Sequence, residues 1–171
     1  MTETEAHRNR LVEHLEGLAQ REDRATLALL RGTLQAERRL EGLPVVLPFV
    51  TAEGRFRDRE EDDALLVAGL FALHPEPGPH SLASALRIVS QTSDSVELRF
   101  RALLSASRED LPAHLRHAVS LVASQSQRIA LDYRDLHAAI RFWDRSDRTR
   151  RQWARAFWTP DHTSETTEHP A

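Results

Sequence analysis

Residues 60–73 of the sequence read EEDDALLVAGLFAL. The four acids that open this stretch suit the first turn of a helix, where the helix dipole stabilises negative charge. From Leu65 to Leu73 the residues are apolar on every side of that helix. A helix of this kind is normally buried from all directions. The stretch therefore predicts a central helix with other elements packed around it.

Prolines break the chain directly after this helix. Residues 74–79 read HPEPGP, and three prolines within five residues are incompatible with a helix. Elsewhere the apolar residues have helical spacing, and the alternating patterns of strands are missing. We expect helices near residues 5–20, 23–40, 82–90, 96–106, 112–126, 133–144 and 148–158.

These patterns predict an all-α fold of two small packed helical bundles, with about eight helices and no sheet. We place an N-terminal helical bundle at residues 1–79 and a C-terminal basic helical bundle at residues 80–159. The polar residues 160–171 are expected to be a disordered tail.

Composition excludes several classes of protein. No apolar run approaches the about 20 residues that span a bilayer, so we expect no transmembrane helix and no membrane partner. The acidic N-terminus, Met1–Glu5, does not resemble a secretory signal. Cysteine is absent, which excludes disulfides, thiolate metal sites and cysteine nucleophiles and suits a cytoplasmic protein.

The charge of the chain is unevenly distributed. All 23 cationic side chains are arginines, and genome base composition is one explanation for that choice. Residues 1–80 carry 10 arginines and 15 acids, whereas residues 81–160 carry 13 arginines and 8 acids. Guanidinium groups suit phosphate because each can donate two parallel hydrogen bonds. The basic second half therefore indicates a polyanionic partner.

Helical geometry, at about 100° per residue, groups the arginines of the last two predicted helices on faces opposite their apolar stripes. These rows are Arg134, Arg141 and Arg145 on helix 133–144, and Arg148, Arg151 and Arg155 on helix 148–158. Like charges this close repel one another mildly, and a phosphate backbone would relieve the repulsion. The sequence leaves open the alternative that each row is an ordinary solvated surface.

Other arginines lie beside apolar stripes on earlier helices. They are Arg99, Arg101, Arg108 and Arg116. Arg31 lies near the inward face of helix 23–40. It either pairs with an acid, such as those at 60–63, or reaches a ligand from a groove.

Enzymatic and metal-binding patterns are weak. His114 and His117 are three residues apart on one helix, but no nearby carboxylate completes a metal site. The acids at 60–63 could hold magnesium, although a role at the helix N-terminus explains them more simply. No glycine-rich phosphate loop or Ser–His–Asp set is recognisable. Tryptophans could stack on bases, but Trp143 and Trp153 lie on apolar stripes and are expected in the core.

Several short motifs, in a fixed order, resemble those of a known family. They are LLRG at 29–32, HSL at 80–82, ELRFRALL at 97–104, DLPAHLRHAV at 110–119, LDY at 131–133, RFWD at 141–144 and RQWARAFW at 151–158. From about residue 22 to residue 158 the chain resembles the CasB family, the small subunit of the type I-E CRISPR effector called Cascade.

The resemblance implies a non-catalytic, all-helical protein without a cofactor or a metal. Its implied partners are crRNA, the target and displaced DNA strands, the backbone and large subunits of Cascade, and a second copy of the chain. Binding without sequence preference would stabilise the guide–target R-loop and the displaced strand in antiviral defence. Carried over to matching positions, the resemblance assigns nucleic-acid binding to Arg31, Arg99, Arg101, Arg108, Arg116, Arg128, Arg141, Arg148, Arg150 and Arg151.

Two alternatives come from other functional classes. The main one is a purely protein-binding helical adaptor, whose arginines would contact acidic partner surfaces. The other is a helical nuclease that uses the carboxylates at 60–63 with a divalent metal.

Overall fold

The computed structural model describes residues 3–159, with side chains from residue 9 onward. Nine α-helices make up most of this part of the chain. They are α1 (Glu3–Gln20), α2 (Arg24–Gly32), α3 (Leu43–Val46), α4 (Arg57–Leu73), α5 (Leu82–Ser90), α6 (Ser95–Leu104), α7 (Leu111–Ala123), α8 (Tyr133–Phe142) and α9 (Arg148–Trp158). Short 3-10 helices cover Ala36–Gly42, Leu47–Phe49 and Gly54–Phe56. The predicted tail at 160–171 lies outside the described residues.

Helix α4 is the centre of the fold. Its residues from Ala64 to Ala72 are buried with the exception of Leu66, and it packs against α1, α2, α7 and α8. The turn after α2 approaches it so closely that a Cβ on Gly69 would lie 2.7 Å from Leu34 Cδ2. The prediction of a central, buried helix is confirmed.

The predicted helix at 23–40 is wrong in its second half, because α2 ends at Gly32. The Thr33 hydroxyl donates to the Leu30 carbonyl at 2.6 Å. The Gln35 N–H donates to the Gly32 carbonyl at 3.0 Å, three residues back instead of four. A side chain that competes for a helix carbonyl and a tighter 3-10 turn together end the α-helical pattern.

The proline-rich break is tied to the second half of the chain. Pro77–His80 is extended and lies parallel to residues 130–132, with the Leu131 N–H donating to the Glu76 carbonyl at 2.8 Å. The Tyr133 hydroxyl donates to the His74 carbonyl. These are isolated bridges, and the described residues contain no sheet. The predicted all-α fold is confirmed.

One hydrophobic core runs through both halves of the described chain. Phe71 of α4 packs edge-on against Tyr133 of α8, with ring centroids 4.9 Å apart. Trp143 and Trp153 are both buried, as expected, and their rings pack edge-on at 5.3 Å. The division into bundles at residue 79 stays a prediction. None of the described helices is long and apolar enough to cross a membrane.

Candidate nucleic-acid interface

All four acids that open the central stretch form ion pairs with arginines. Their partners are Arg141 for Glu60, Arg57 for Glu61, Arg39 for Asp62 and Arg108 for Asp63. Helix α4 begins at Arg57, so only the first of these acids lies in its first turn. Glu61 pairs within α4, whereas Glu60, Asp62 and Asp63 join α4 to other segments, which corrects the expectation that the acids serve mainly at the helix N-terminus.

The carboxylates of Glu60 and Asp63 are buried, and each accepts hydrogen bonds. Glu60, with a side chain 5% exposed, pairs with Arg141 at 3.3 Å and also accepts the Ala52 N–H at 2.6 Å. Asp63, with a side chain 2% exposed, accepts from Arg108, which also donates to the Ile140 carbonyl. Arg108 and Arg141, both predicted to bind nucleic acid, are thus committed to carboxylates inside the protein.

Ion pairs also join the acidic and basic halves at the surface. Arg134 of α8 pairs with Glu16 of α1 at 2.9 Å, and Arg128 pairs with Glu76. Arg59 pairs with Asp144, and this hydrogen bond lowers the pKa of the Asp144 carboxyl. Much of the opposite charge of the two halves is therefore neutralised by ion pairs between them.

The row of three arginines predicted on helix 133–144 is consequently not available as a free row. Helix α8 ends at Phe142, and Arg145 lies beyond it with its guanidinium 5.3 Å from the Phe142 ring centroid. Arg134 and Arg141 are held by carboxylates of α1 and α4. This face of α8 packs against acidic residues of α1 and α4. The residue pattern of α8 alone could not predict these contacts.

The row on α9 is exposed. Arg148, Arg151 and Arg155 are exposed, and no carboxylate among the described residues pairs with them. Arg150 instead points inward: it donates to the Ala106 carbonyl at 3.3 Å and lies 5.3 Å from the Trp143 ring centroid. Buried Trp153 and Phe157 fix the opposite face of α9, which leaves the row facing solvent.

The predicted arginines of α6 and α7 lie on different surfaces. Arg101 pairs with Glu97 at 2.6 Å and stacks 5.1 Å from the Trp158 ring centroid. Arg99 lines a mostly apolar groove between α6 and α7. Arg116 is exposed and lines another cleft, and Arg31 is exposed without a carboxylate partner among the described residues. Of the two alternatives left open for Arg31, pairing with the acids at 60–63 is therefore wrong.

The cleft that contains Arg116 is lined by arginines from several segments of the chain. It has a volume of about 880 Å³ and lies between the α4 N-terminus, the 3-10 helix at 36–42 and α7. Its arginines are Arg39, Arg55, Arg59, Arg108 and Arg116. Its acids are Asp58, Asp62 and Glu109. Arg39, Arg59 and Arg108 are paired with carboxylates, so Arg55 and Arg116 are the arginines of this cleft that no described carboxylate pairs with.

Arg59 also lines a second, smaller cleft. The smaller cleft has a volume of about 260 Å³ and contains Arg141 and Arg145. Arg39, Arg55 and Arg59 were not predicted as site residues. The signal for two of them was the run RFRDR at 55–59, in which basic residues alternate with an aromatic residue and an acid at the start of the central helix.

A sequence profile of CRISPR-associated protein Cse2 matches residues 23–158. The chain belongs to the Cse2 family. It is 37% identical over 121 residues to the CRISPR-associated protein Cse2 of Thermus thermophilus, which covers 68% of this chain and 67% of that protein. The resemblance to the CasB family is confirmed.

Solved structures agree with this assignment. CasB from Thermus thermophilus superposes with a TM-score of 0.73 at 29% identity, covering 94% of this chain and 100% of that one. A chain of a CRISPR RNA-guided surveillance complex superposes with a TM-score of 0.67 at 21% identity, covering 90% and 92%. The second likeness shows the fold alone.

The other candidate sites in this Cse2-family chain have structural explanations. His114 and His117 line the groove between α6 and α7. No group of three or more His, Asp or Glu side chains within the described residues could hold a metal ion. The acids at 60–63 are each paired with arginine, which leaves no open carboxylate pair there for a divalent metal.

Proposed function

We propose that the chain is the non-catalytic small subunit of type I-E Cascade and acts in the cytoplasm in antiviral defence. It binds RNA and DNA backbones without sequence preference through exposed arginines. Its partners are crRNA, the target and displaced DNA strands, the backbone and large subunits, and a second copy of itself. Family membership supports the assembly, and the exposed row on α9 is the single observation that supports backbone binding.

The physical role is to shift an equilibrium. Opening a DNA duplex by guide RNA is a nearly balanced exchange of one duplex for another, as other RNA-guided effectors illustrate. A subunit that gains arginine–phosphate contacts only in the open state favours that state. It need not read bases, because guide pairing supplies the sequence information.

The test is an affinity series against salt, using several unrelated single-stranded oligonucleotides and the full chain. Each phosphate contact on a single strand contributes about −0.7 to the slope of log affinity against log salt. Replacing Arg148, Arg151 and Arg155 together by Gln should reduce the slope by about 2 if all three make contacts. Fluorescence anisotropy measures the affinities.

The matched control replaces Arg24, Arg38 and Arg57 by Gln. These side chains pair with nearby glutamates on the acidic half, and their loss changes the net charge by the same amount. The control should leave affinity and slope close to those of the parent. An equal loss in both variants, or strong preference for one oligonucleotide sequence, contradicts the proposal.

A protein-binding adaptor is the second candidate function. Leu98 is 72% exposed on α6, and Trp158, on the adjacent α9, is 41% exposed beneath Arg101. Exposed aromatic and arginine side chains of this kind are enriched in protein interfaces. If the triple Gln variant on α9 binds oligonucleotides normally but fails to join the other Cascade subunits, the adaptor is favoured.

A further inference from the structure

One exposed phenylalanine, Phe56, lines the smaller cleft, and a second, Phe142, contacts the cleft arginine Arg145. Phe56 lines the cleft and is 55% exposed, with the Arg55 guanidinium 4.8 Å from its ring centroid. Phe142 is 38% exposed, and its neighbour Arg145 lines the same cleft. Phe56 does not belong to the hydrophobic core cluster, so its exposed ring has no packing role there.

Aromatic rings interleaved with guanidinium groups are the chemistry of single-strand binding. A nucleobase stacks on an aromatic face whatever its sequence, and the arginines neutralise the adjoining phosphates. The cleft volume of about 260 Å³ is below the roughly 300 Å³ at which pockets for drug-sized ligands begin, so one flat ring suits it.

The polar groups in the wall favour a base over a phosphate at the bottom of the cleft. Glu60 and Asp63 are already paired with arginines, and Glu53 has no cationic partner among the described residues. A free carboxylate repels phosphate but accepts a hydrogen bond from an exocyclic amino group.

We propose that the smaller cleft takes an unpaired nucleobase, which stacks on Phe56 while Arg55 and Arg145 hold the flanking backbone. The inference rests on the proposed function, because it supposes that the chain binds a polynucleotide. It adds a preference for unpaired, base-bearing strands to the backbone contacts.

The experiment compares a short single-stranded oligonucleotide with its fully abasic analogue, which has the same number of phosphates. Full-length protein and the variants Phe56→Leu and Phe56→Tyr are titrated by fluorescence anisotropy. The parent should bind the base-bearing strand about 5- to 150-fold more tightly, the range expected for one stacked base. Phe56→Leu should abolish this advantage without changing affinity for the abasic strand or the salt slope, and Phe56→Tyr should preserve it.

Leu40→Ala is the control, because Leu40 is 66% exposed and does not line the cleft. The Leu40→Ala variant should prefer the base-bearing strand over the abasic strand by the same factor as the parent. Equal affinity of the parent for both strands overturns the inference while the proposed function stands, whereas no binding to either strand overturns both. If Phe56→Leu keeps the base advantage but fails to join the other Cascade subunits, the ring contacts protein and the inference is overturned.

Discussion

Asp135 lies in the first turn of α8, half-buried, and its Oδ2 has no hydrogen-bond partner among the described residues. Burial raises the pKa of its carboxyl, and the charge of Asp132 raises it further. The folded state therefore holds a proton on Asp135 more tightly than the unfolded state does. Its ionised form is disfavoured by folding.

Asp135→Asn should raise the free energy of unfolding at neutral pH. The pKa of the Asp135 carboxyl is higher in the folded protein than its unfolded value of 3.8. The free energy of unfolding therefore falls as pH rises from 3.8 through the folded pKa, and it stays lower at higher pH. The amide avoids that loss, so a gain of up to about 1 kcal/mol is expected at pH 7. The gain should shrink towards zero in acid.

Urea denaturation at several pH values measures this difference. Asp94→Asn is the control, since Asp94 precedes α6, is exposed and makes no capping hydrogen bond. It should change stability little at any pH. A less stable Asp135→Asn protein at neutral pH would show that the negative charge is needed in the first turn of α8.

At the scale of elements, the ion pair of Asp63 and Arg108 joins the central helix to the loop between α6 and α7. Asp63 has a side chain only 2% exposed, so its charge depends on this partner. Removing one member of a buried pair leaves an uncompensated charge, whereas replacing both by apolar residues is often nearly neutral.

Arg108→Met should lower the free energy of unfolding by about 3–5 kcal/mol. The double variant Arg108→Met, Asp63→Leu should recover most of that loss. Arg116→Met is the control from the same cleft, because Arg116 is exposed and no described carboxylate pairs with it, and it should cost at most about 0.5 kcal/mol. Equal stability of the two single variants would mean that Asp63 finds another partner when Arg108 is lost.

At the scale of the whole molecule, one core and several ion pairs connect the two halves of the chain. The central helix α4, from the first half, packs against α7 and α8 of the second. Arg59, Arg108, Arg128, Arg134 and Arg141 each pair with a carboxylate of the other half. Such a molecule should not unfold one half at a time.

We therefore expect a single cooperative unfolding transition. The tryptophans Trp143, Trp153 and Trp158 all lie in the second half, so their fluorescence reports that half, whereas circular dichroism reports helices in both. The two probes should give coincident curves in urea. If the fluorescence transition occurs at a separate urea concentration, the halves are independent bundles, as the predicted boundary at residue 79 would allow.

Local patterns predicted the helices well and their ion-pair partners poorly. The row on α9 could be read from sequence because residues three and four apart on one helix share a face. The ion pair of Arg134 could not be predicted in this way, because its partner Glu16 lies 118 residues away in sequence and contacts it only after α1 packs beside α8. The larger cleft was missed for the same reason: its arginines come from four separate segments.

The sequence by itself determined the helical class, the buried central helix, the family and the exposed arginine row on α9. Each depends on spacing or order along the chain, which needs no knowledge of packing. Tertiary structure alone decided which arginines are neutralised within the protein and which line a concave surface. Charge pairing acts across a few ångströms of space, and the fold brings together side chains that the chain order keeps far apart.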